Sequence, residues 1–377
     1  MRLLLHTLHL ATEPSLLEPR ASALVHWLAG RGHALSVVAA TPGEGSAADT
    51  RPRRSESEAQ LRVLRRPHLG APGGSLGRTV QNVSFALASA PALLREAASF
   101  RPDLVGALAP SAAAASAALA AARVAGVPAW LHLEEDAPPL GIETAFACVS
   151  LAAGAAEARL EALGVGRAQR LALLPWTDTR AILPDHAPNP LRERLKLPAD
   201  AIVVLQLGWC ADPFAADALI AAAQAVPPKG ALYFMVCGRG PEIARLAATA
   251  RAAPRLVVLP WPPADGLAAL LTLADIHLLP EGTAAADPLL PAKLGALLAS
   301  GRPILSGTRR VPETLGLAVV PVELAGEALA AAAVRLAAAF AERMARGIAA
   351  RCAAQDYFDQ ERVLRQLERG LQSLAPH

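Results

Sequence analysis

The stretch Ala274-Asp-Ile-His-Leu-Leu-Pro-Glu-Gly-Thr-Ala-Ala-Ala-Asp-Pro-Leu-Leu-Pro-Ala-Lys-Leu-Gly-Ala-Leu-Leu-Ala-Ser-Gly-Arg-Pro303 decides the fold. Ile276 to Leu279 is an apolar run of strand length, and a loop follows it. Pro291 lies near the start of an apolar helix, Gly301 ends it, and Pro303 opens the next strand. Proline early and glycine late is the usual polarity of a helix, so the unit reads strand, loop, helix, strand, as in a parallel crossover. Lys293 falls in the first turn expected for that helix, where unpaired N–H groups and the helix dipole favour an anion. A capped core helix with a solvated lysine is the alternative.

Outward from this unit the same alternation recurs, which predicts doubly wound parallel sheets. In the first half the expected strands are Arg2 to His6, Ala34 to Ala39, Leu61 to Leu64, Leu104 to Ala107, Ala129 to Leu133, Thr144 to Val149 and Arg170 to Leu173. A Pro-rich segment, Leu183 to Pro198, reads as a linker or edge loop. A second series runs Ile202 to Leu207, Leu232 to Cys237, Arg255 to Leu259, Ile276 to Leu279, Pro303 to Leu305 and Ala318 to Val320. Leu324 to Leu374 is helical in character, and its last piece, from Tyr357, is expected to return to the first domain. The expected bounds are 1–182, 183–355 and 356–377, with ligands at strand C-termini.

A chain of 377 residues suits two domains of ordinary size. Apolar residues make up 53% and aromatics 4%, with alanine prominent, which favours helices on sheets over a sandwich. The net charge of +3 is carried by arginine, since the only lysines are Lys196, Lys229 and Lys293. Cys148, Cys210, Cys237 and Cys352 lie far apart, with no disulfide framework or zinc spacing, so a reducing, cytoplasmic setting is expected. The first ten residues read as a buried strand rather than a signal peptide. The Ala-rich run from Ser111 to Val124 is too short and too weakly apolar to be a membrane span, and reads as a core helix.

Ala274 to Pro303 closely resembles family 4 glycosyltransferases, and within them the colanic-acid and exopolysaccharide branch. Leu24 to Val38, Arg101-Pro-Asp-Leu-Val105, Gly126-Val-Pro-Ala-Trp-Leu-His132, Trp176-Thr-Asp-Thr-Arg180, Cys237-Gly-Arg-Gly-Pro-Glu242 and Tyr357 to Glu368 extend the resemblance over nearly the whole chain. The resemblance implies an α/β fold of GT-B type, two facing Rossmann-like domains with a cleft between them. It implies retaining, metal-independent transfer of a hexose from a nucleotide-diphosphate sugar, with no separate cofactor, to a polysaccharide or glycolipid acceptor. His132 matches the family's cleft histidine, which contacts the donor sugar; imidazole suits a sugar hydroxyl or proton sharing near neutral pH, and a strand-end histidine satisfied by backbone is the alternative. Gly208, Gly238, Arg239, Gly240, Leu259, Trp261, Asp287, Leu290 and Pro291 are the implied donor-binding residues, with Lys293 beside them. Gly238-Arg-Gly240 is half a dinucleotide fingerprint, and Trp261 either stacks on the base or packs the rim. Glu134-Glu-Asp136 either orients sugar hydroxyls or is a solvated acidic loop.

The pattern breaks at the phosphate contacts. Leu16 and Leu17 stand at the first loop's glycine positions, while Trp209 and Pro213 replace the second domain's cations. Losing one such donor costs on the order of 3 kcal/mol of barrier. Ala296 and Leu289 occupy the places of two carboxylates. Two functions follow as expectations: a divergent hexosyltransferase, or a non-catalytic pseudo-glycosyltransferase that binds a partner glycosyltransferase or a sugar nucleotide. The basic region from Arg51 to Arg78 suits either peripheral contact at the inner face of a membrane, near a lipid-linked acceptor, or an ordinary surface loop. Nucleic acid is not expected, because no aromatics interleave with the arginines.

Overall fold

The computed structural model describes residues 1–10, 20–41, 56–58, 60–69, 75–134, 138–153, 155–184, 189–227, 230–262, 266–280, 293–307 and 311–375. They divide into two compact units, Met1–Leu174 with Val363–His377, and Pro175–Arg362.

Unit 1 runs β1 (Arg2–Thr7), α1 (Arg20–Gly30), β2 (Ala34–Ala40), β3 (Glu56–Glu58), β4 (Leu61–Arg66), α2 (Ser75–Phe100), β5 (Leu104–Leu108), α3 (Ala112–Ala125), β6 (Ala129–Leu133), β7 (Cys148–Ala152), α4 (Ala156–Ala162) and β8 (Arg170–Leu173). Its strands order as β3-β4-β2-β1-β5-β6-β7-β8, parallel throughout except that β3 is antiparallel to β4. The central strands are buried along their length, as parallel strands covered on both faces must be. α3 shows why an alanine run becomes a helix here. Ser111 caps it, Gly126 ends it at φ +69°, and Ala115, Ala118 and Ala121 bury a stripe thin enough for close packing. Gly106 is required on β5, where a Cβ would stand 2.7 Å from the Trp130 ring.

Unit 2 runs α5 (Pro190–Arg194), β9 (Ile202–Trp209), α6 (Pro213–Ala225), β10 (Leu232–Arg239), α7 (Ile243–Ala250), β11 (Leu256–Leu259), α8 (Leu267–Leu273), β12 (Ile276–Leu279), α9 (Leu294–Ala299), β13 (Ile304–Ser306), β14 (Val319–Pro321), α10 (Gly326–Ala338) and α11 (Phe340–Ala353). After a π turn at Ala354–Phe358, α12 (Gln360–Gln372) carries the chain into unit 1. The sheet orders as β11-β10-β9-β12-β13-β14, all parallel. Read from its first strand, this is the 3-2-1-4-5-6 winding of a Rossmann fold, whose direction reverses between β9 and β12. The same reversal falls between β1 and β5 in unit 1.

Three expectations are corrected. The strand expected over Thr144 to Val149 starts at Cys148, because Glu143–Ala145 forms a 3₁₀ turn whose Glu143 carboxylate accepts the Leu140 N–H at 2.6 Å. The Leu183 to Pro198 segment, expected as a linker or edge loop, is helical from Pro190. Asn189 caps α5 and donates to the Ala269 carbonyl at 2.7 Å, tying the segment into unit 2. Arg65 and Arg66 extend β4 beyond the expected Leu61 to Leu64.

Candidate functional site

The carboxyl end of unit 2's sheet, at the β9–β12 reversal, is where this winding leaves a crevice. β9 ends at Gly208 and Trp209, and Gly208 takes φ +117°, a conformation that favours glycine. Lys293, which follows the loop after β12, places Nζ 2.9 Å from the Leu207 carbonyl. A Cβ on Gly208 would stand 3.3 Å from that Nζ, so the glycine leaves the ammonium its place. Lys293 is therefore fixed across the reversal. It stands at the N-cap position of α9 rather than in its first turn, and α9 has only six residues. The expected anion site at that helix terminus is thus replaced by the lysine itself.

The loops after β9 and β10 interlock. Cys210 N–H donates to the Arg239 carbonyl at 2.7 Å, and Glu242 N–H donates to the Cys210 carbonyl at 3.2 Å. A Cβ on Gly238 would lie 2.2 Å from the Gly208 oxygen, and one on Gly240 2.4 Å from the Cys210 oxygen. Both glycines are required by this loop-to-loop contact, a reason the sequence motif did not disclose. Arg239 carries its guanidinium 5.2 Å from the Trp261 ring centre, a cation–π contact. Leu259 closes β11, and the Cys237 thiol donates to the Pro260 carbonyl at 3.2 Å, seating the segment that holds Trp261. Burial pushes the Cys237 thiol up to about 11, so it is not a nucleophile. Trp209 is 67% exposed where the family pattern has a cation, and Phe214 beside it is 60% exposed. Pro213 opens α6 behind an Asp212 cap, so neither position supplies positive charge.

In unit 1, His132 lies on β6, one strand beyond the β1–β5 reversal, and is fully buried. Its Nδ1 is 2.8 Å from Ser150 Oγ, which accepts the Trp130 Nε1–H at 2.8 Å. Ser150 keeps one hydrogen to give. Its hydroxyl lies 3.5 Å from the Leu131 carbonyl and 2.8 Å from His132 Nδ1, so Trp130, His132 and Ser150 form one buried polar cluster. Burial, reinforced by Arg20, lowers the imidazole to about 3. The expectation that His132 shares a proton near neutral pH is corrected: it is a neutral hydrogen-bonding group there. Next to it, Ala109 adopts φ +43° and donates its N–H to the His132 carbonyl at 2.9 Å. A positive φ at a non-glycine residue marks a constrained position, and alanine carries no sequence signal for it.

Asp287, Leu290 and Pro291, with Leu16, Leu17, Leu289, Glu135 and Asp136, lie outside the described residues. The described candidates fall into two groups: Gly208, Gly238, Arg239, Gly240, Leu259, Trp261 and Lys293 in unit 2, and His132 in unit 1.

No family model matches the chain. Over 337 residues it is 26% identical to the Escherichia coli K12 protein WcaI, which carries a provisional name as a colanic acid biosynthesis glycosyl transferase; the match covers 80% of this chain and 82% of that one. Among solved structures, sucrose-phosphate synthase from Thermosynechococcus elongatus superposes with a TM-score of 0.73 at 15% identity, over 99% of this chain and 98% of that one. Anabaena HepE in complex with UDP and glucose gives 0.68 at 16%, over 99% and 100%. The chain has the GT-B fold. WaaG, a glycosyltransferase involved in lipopolysaccharide biosynthesis, gives 0.63 at 14% identity over the whole of both chains. In the GT-B chain described here, the fold and the exopolysaccharide-branch resemblance read from Ala274 to Pro303 therefore agree with one another. Among the described residues no helix is long and apolar enough to cross a membrane.

Proposed function

We propose that the chain transfers a hexose, with retention and without a metal, from a nucleotide-diphosphate sugar to a polysaccharide or glycolipid acceptor. The observation that carries this reading is Lys293, fixed by the Leu207 carbonyl across the β9–β12 reversal and given room by Gly208. Diphosphate departure needs positive charge set in place beforehand, and Lys293 supplies it at the sheet edge where nucleotides bind in this winding. Arg239, stacked on Trp261, is the second cation of that edge, and Trp261 offers a face to the base. A role for His132 toward the donor sugar rests on the family resemblance alone. HepE, solved with UDP-glucose, has a similar fold at 15% identity, which supports a nucleotide sugar as donor; WcaI's name supports an exopolysaccharide product. Retention, the hexose and metal independence rest on the family resemblance.

Calorimetric titration with UDP, GDP and UDP-glucose tests the reading. Binding that Lys293→Ala weakens roughly tenfold to a hundredfold, the range for a charge-assisted hydrogen bond, is expected. Unchanged affinity in a folded Lys293→Ala protein removes Lys293 from the site.

A second reading, a pseudo-glycosyltransferase that binds without transferring, is favoured by one observation. Trp209, an exposed aromatic ring, and Pro213 stand where the family pattern has cations, and a diphosphate set against them loses hydration without gaining donors. Titration of the unmodified chain, and of one with glycine at 16 and 17 and lysine at 213, separates the two. Low-micromolar binding by the unmodified chain favours the enzyme, and binding gained only on restoration favours the pseudo-enzyme.

A further inference from the structure

Unit 2 opens a second time, at the end of its sheet opposite Gly208 and Lys293. A cavity of about 420 Å³ lies where β9, β12 and β13 begin, beside Ile202, Asp275 and Pro303. That volume is in the range of small-molecule sites. One wall is α11, which contributes Phe340, Arg343 and Met344. The wall is fixed in place. A Cβ on Gly347 would stand 2.3 Å from the Gly301 oxygen, and Arg351 donates to the Ala299 carbonyl at 2.9 Å. These contacts lock α11 against the turn from Gly301 to Pro303, which also lines the cavity. A site held open in this way needs little ordering when a ligand enters.

Three kinds of chemistry meet on the lining. Phe340 is 67% exposed, with Met344 exposed one turn along, so an aromatic ring and a thioether are left uncovered. Arg343 sets its guanidinium 5.7 Å from the Phe340 ring centre and gives Nη1 to the Leu336 and Ala337 carbonyls. Those acceptors are neutral, so Arg343 keeps a positive charge beside the ring. Two carboxylates also line the cavity. Asp275 is occupied, accepting from Arg192 at 2.5 Å and from the Val203 N–H at 2.9 Å. Asp200 is exposed, on the loop before β9. Arg302, also on the lining, gives its Nε to the Ala274 carbonyl at 2.9 Å. A ring, a cation next to it and an exposed carboxylate match the three parts of a nucleotide. Bases stack on aromatic faces, a guanidinium takes a phosphate through paired donors, and a carboxylate accepts from ribose hydroxyls.

We propose that this cavity is a second ligand site, which takes a nucleoside monophosphate with its base on Phe340, its phosphate on Arg343 and its ribose toward Asp200. The inference goes beyond the donor reading and does not depend on it, because the site lies at the opposite end of the sheet. The full-length protein is titrated calorimetrically with AMP, adenosine and inorganic phosphate. AMP should bind, with adenosine and inorganic phosphate each about tenfold or more weaker, since each lacks one of the two anchors. Phe340→Ala should weaken AMP about tenfold with an unchanged melting temperature, because the ring is exposed. Met344→Glu, which sets a carboxylate beside the phosphate, should weaken it comparably and leave adenosine less affected. UDP titrated into the same variants should bind as it does to the wild type, so the donor reading is scored separately. The proposal is overturned if the wild type ignores millimolar AMP. It is also overturned if folded Phe340→Ala and Met344→Glu proteins bind AMP as well as the wild type, which would place AMP elsewhere on the chain. A dimer in light scattering that Phe340→Ala converts to monomer would overturn it too, assigning the exposed ring to a second copy.

Discussion

Lys293 and His132 carry different weights once their surroundings are known. The lysine is held by a backbone carbonyl at the edge of a sheet; the histidine is enclosed with Ser150 and Trp130 and stays neutral. His6 and His277 are likewise fully buried, and burial lowers them to about 4 and about 3. In the unfolded chain all three regain an ordinary imidazole near 6.5. The unfolded state therefore binds more protons between about 6.5 and the folded values, and stability falls as pH falls through that window, by up to about 1.4 kcal/mol per unit per histidine. Urea denaturation at stepped pH should show this decline beginning above the carboxylate range, with His132→Gln flattening the slope by one histidine's share. A slope the substitution leaves unaltered would mean that His132 titrates normally. Gly238→Ala belongs to the same scale. Its Cβ meets the Gly208 oxygen, so the two loops must separate, at a cost of about 1–3 kcal/mol. A melting temperature equal to wild type would refute the contact. The Gly238-Arg-Gly240 motif was legible in the sequence; the reason for it was not, because the clashing atoms belong to a loop 30 residues earlier in the chain.

Among the elements, the strands buried on both faces were readable because each is a short apolar run between turn signals. Ala129–Leu133, Arg170–Leu173 and Ile276–Leu279 fall where the pattern puts them. β7 was misplaced because Thr144 to Phe146 is apolar enough to pass for a strand, while the side chain that turns it, Glu143, acts through a backbone N–H. β3 gave no signal, since Glu56-Ser-Glu58 contains no apolar residue. α12 shows how a helix end is held. Val363, Leu364, Leu367 and Leu371 are buried, and a Cβ on Gly370 would stand 2.8 Å from Leu171. Glu368 accepts from His33 at 2.8 Å and pairs with Arg31 at 3.3 Å. Although burial opposes it, hydrogen bonds from His33 and Arg31 hold this carboxyl below its usual range. Its contribution is present above about 4.5, the ordinary carboxyl value, and is lost as pH falls below it. Glu368→Ala leaves buried His33 without its acceptor and should cost about 1–3 kcal/mol at neutral pH. A loss under half a kilocalorie in chemical denaturation would reduce the pair to a surface contact.

For the whole molecule, doubly wound parallel sheets were legible in the alternation of strands and helices, whereas their strand order and the division of the chain were not. The division falls after Leu174 rather than near 182, because the Trp176-to-Arg180 segment bonds within unit 2. Thr177 N–H donates to the Phe358 carbonyl at 2.8 Å, and Arg351 donates to the carbonyls of Thr179, Ile182 and Ala299. Apart from Ala299, these partners lie about 170 to 180 residues apart in sequence and leave no local trace. Unit 2 is continuous, so a fragment of residues 175–362 should melt cooperatively and keep whatever nucleotide affinity the full chain has. Residues 1–174 alone lack the buried face of α12 and should aggregate or stay molten, which circular dichroism and light scattering would detect. A well-folded 1–174 fragment would show that α12 is an accessory to unit 1.

The return of α12 also sets an order of events during synthesis. Residues 363–377, which complete unit 1, are translated only after all of unit 2, so the half that is begun first is finished last. Until then β8 and the groove around Leu171 wait uncovered on the nascent chain, while unit 2 has its whole sequence available to fold. A ribosome that stops between residues 363 and 371 would release a product with a sound second half and an open first half. That is the form quality-control proteases recognise most readily, through exposed apolar surface.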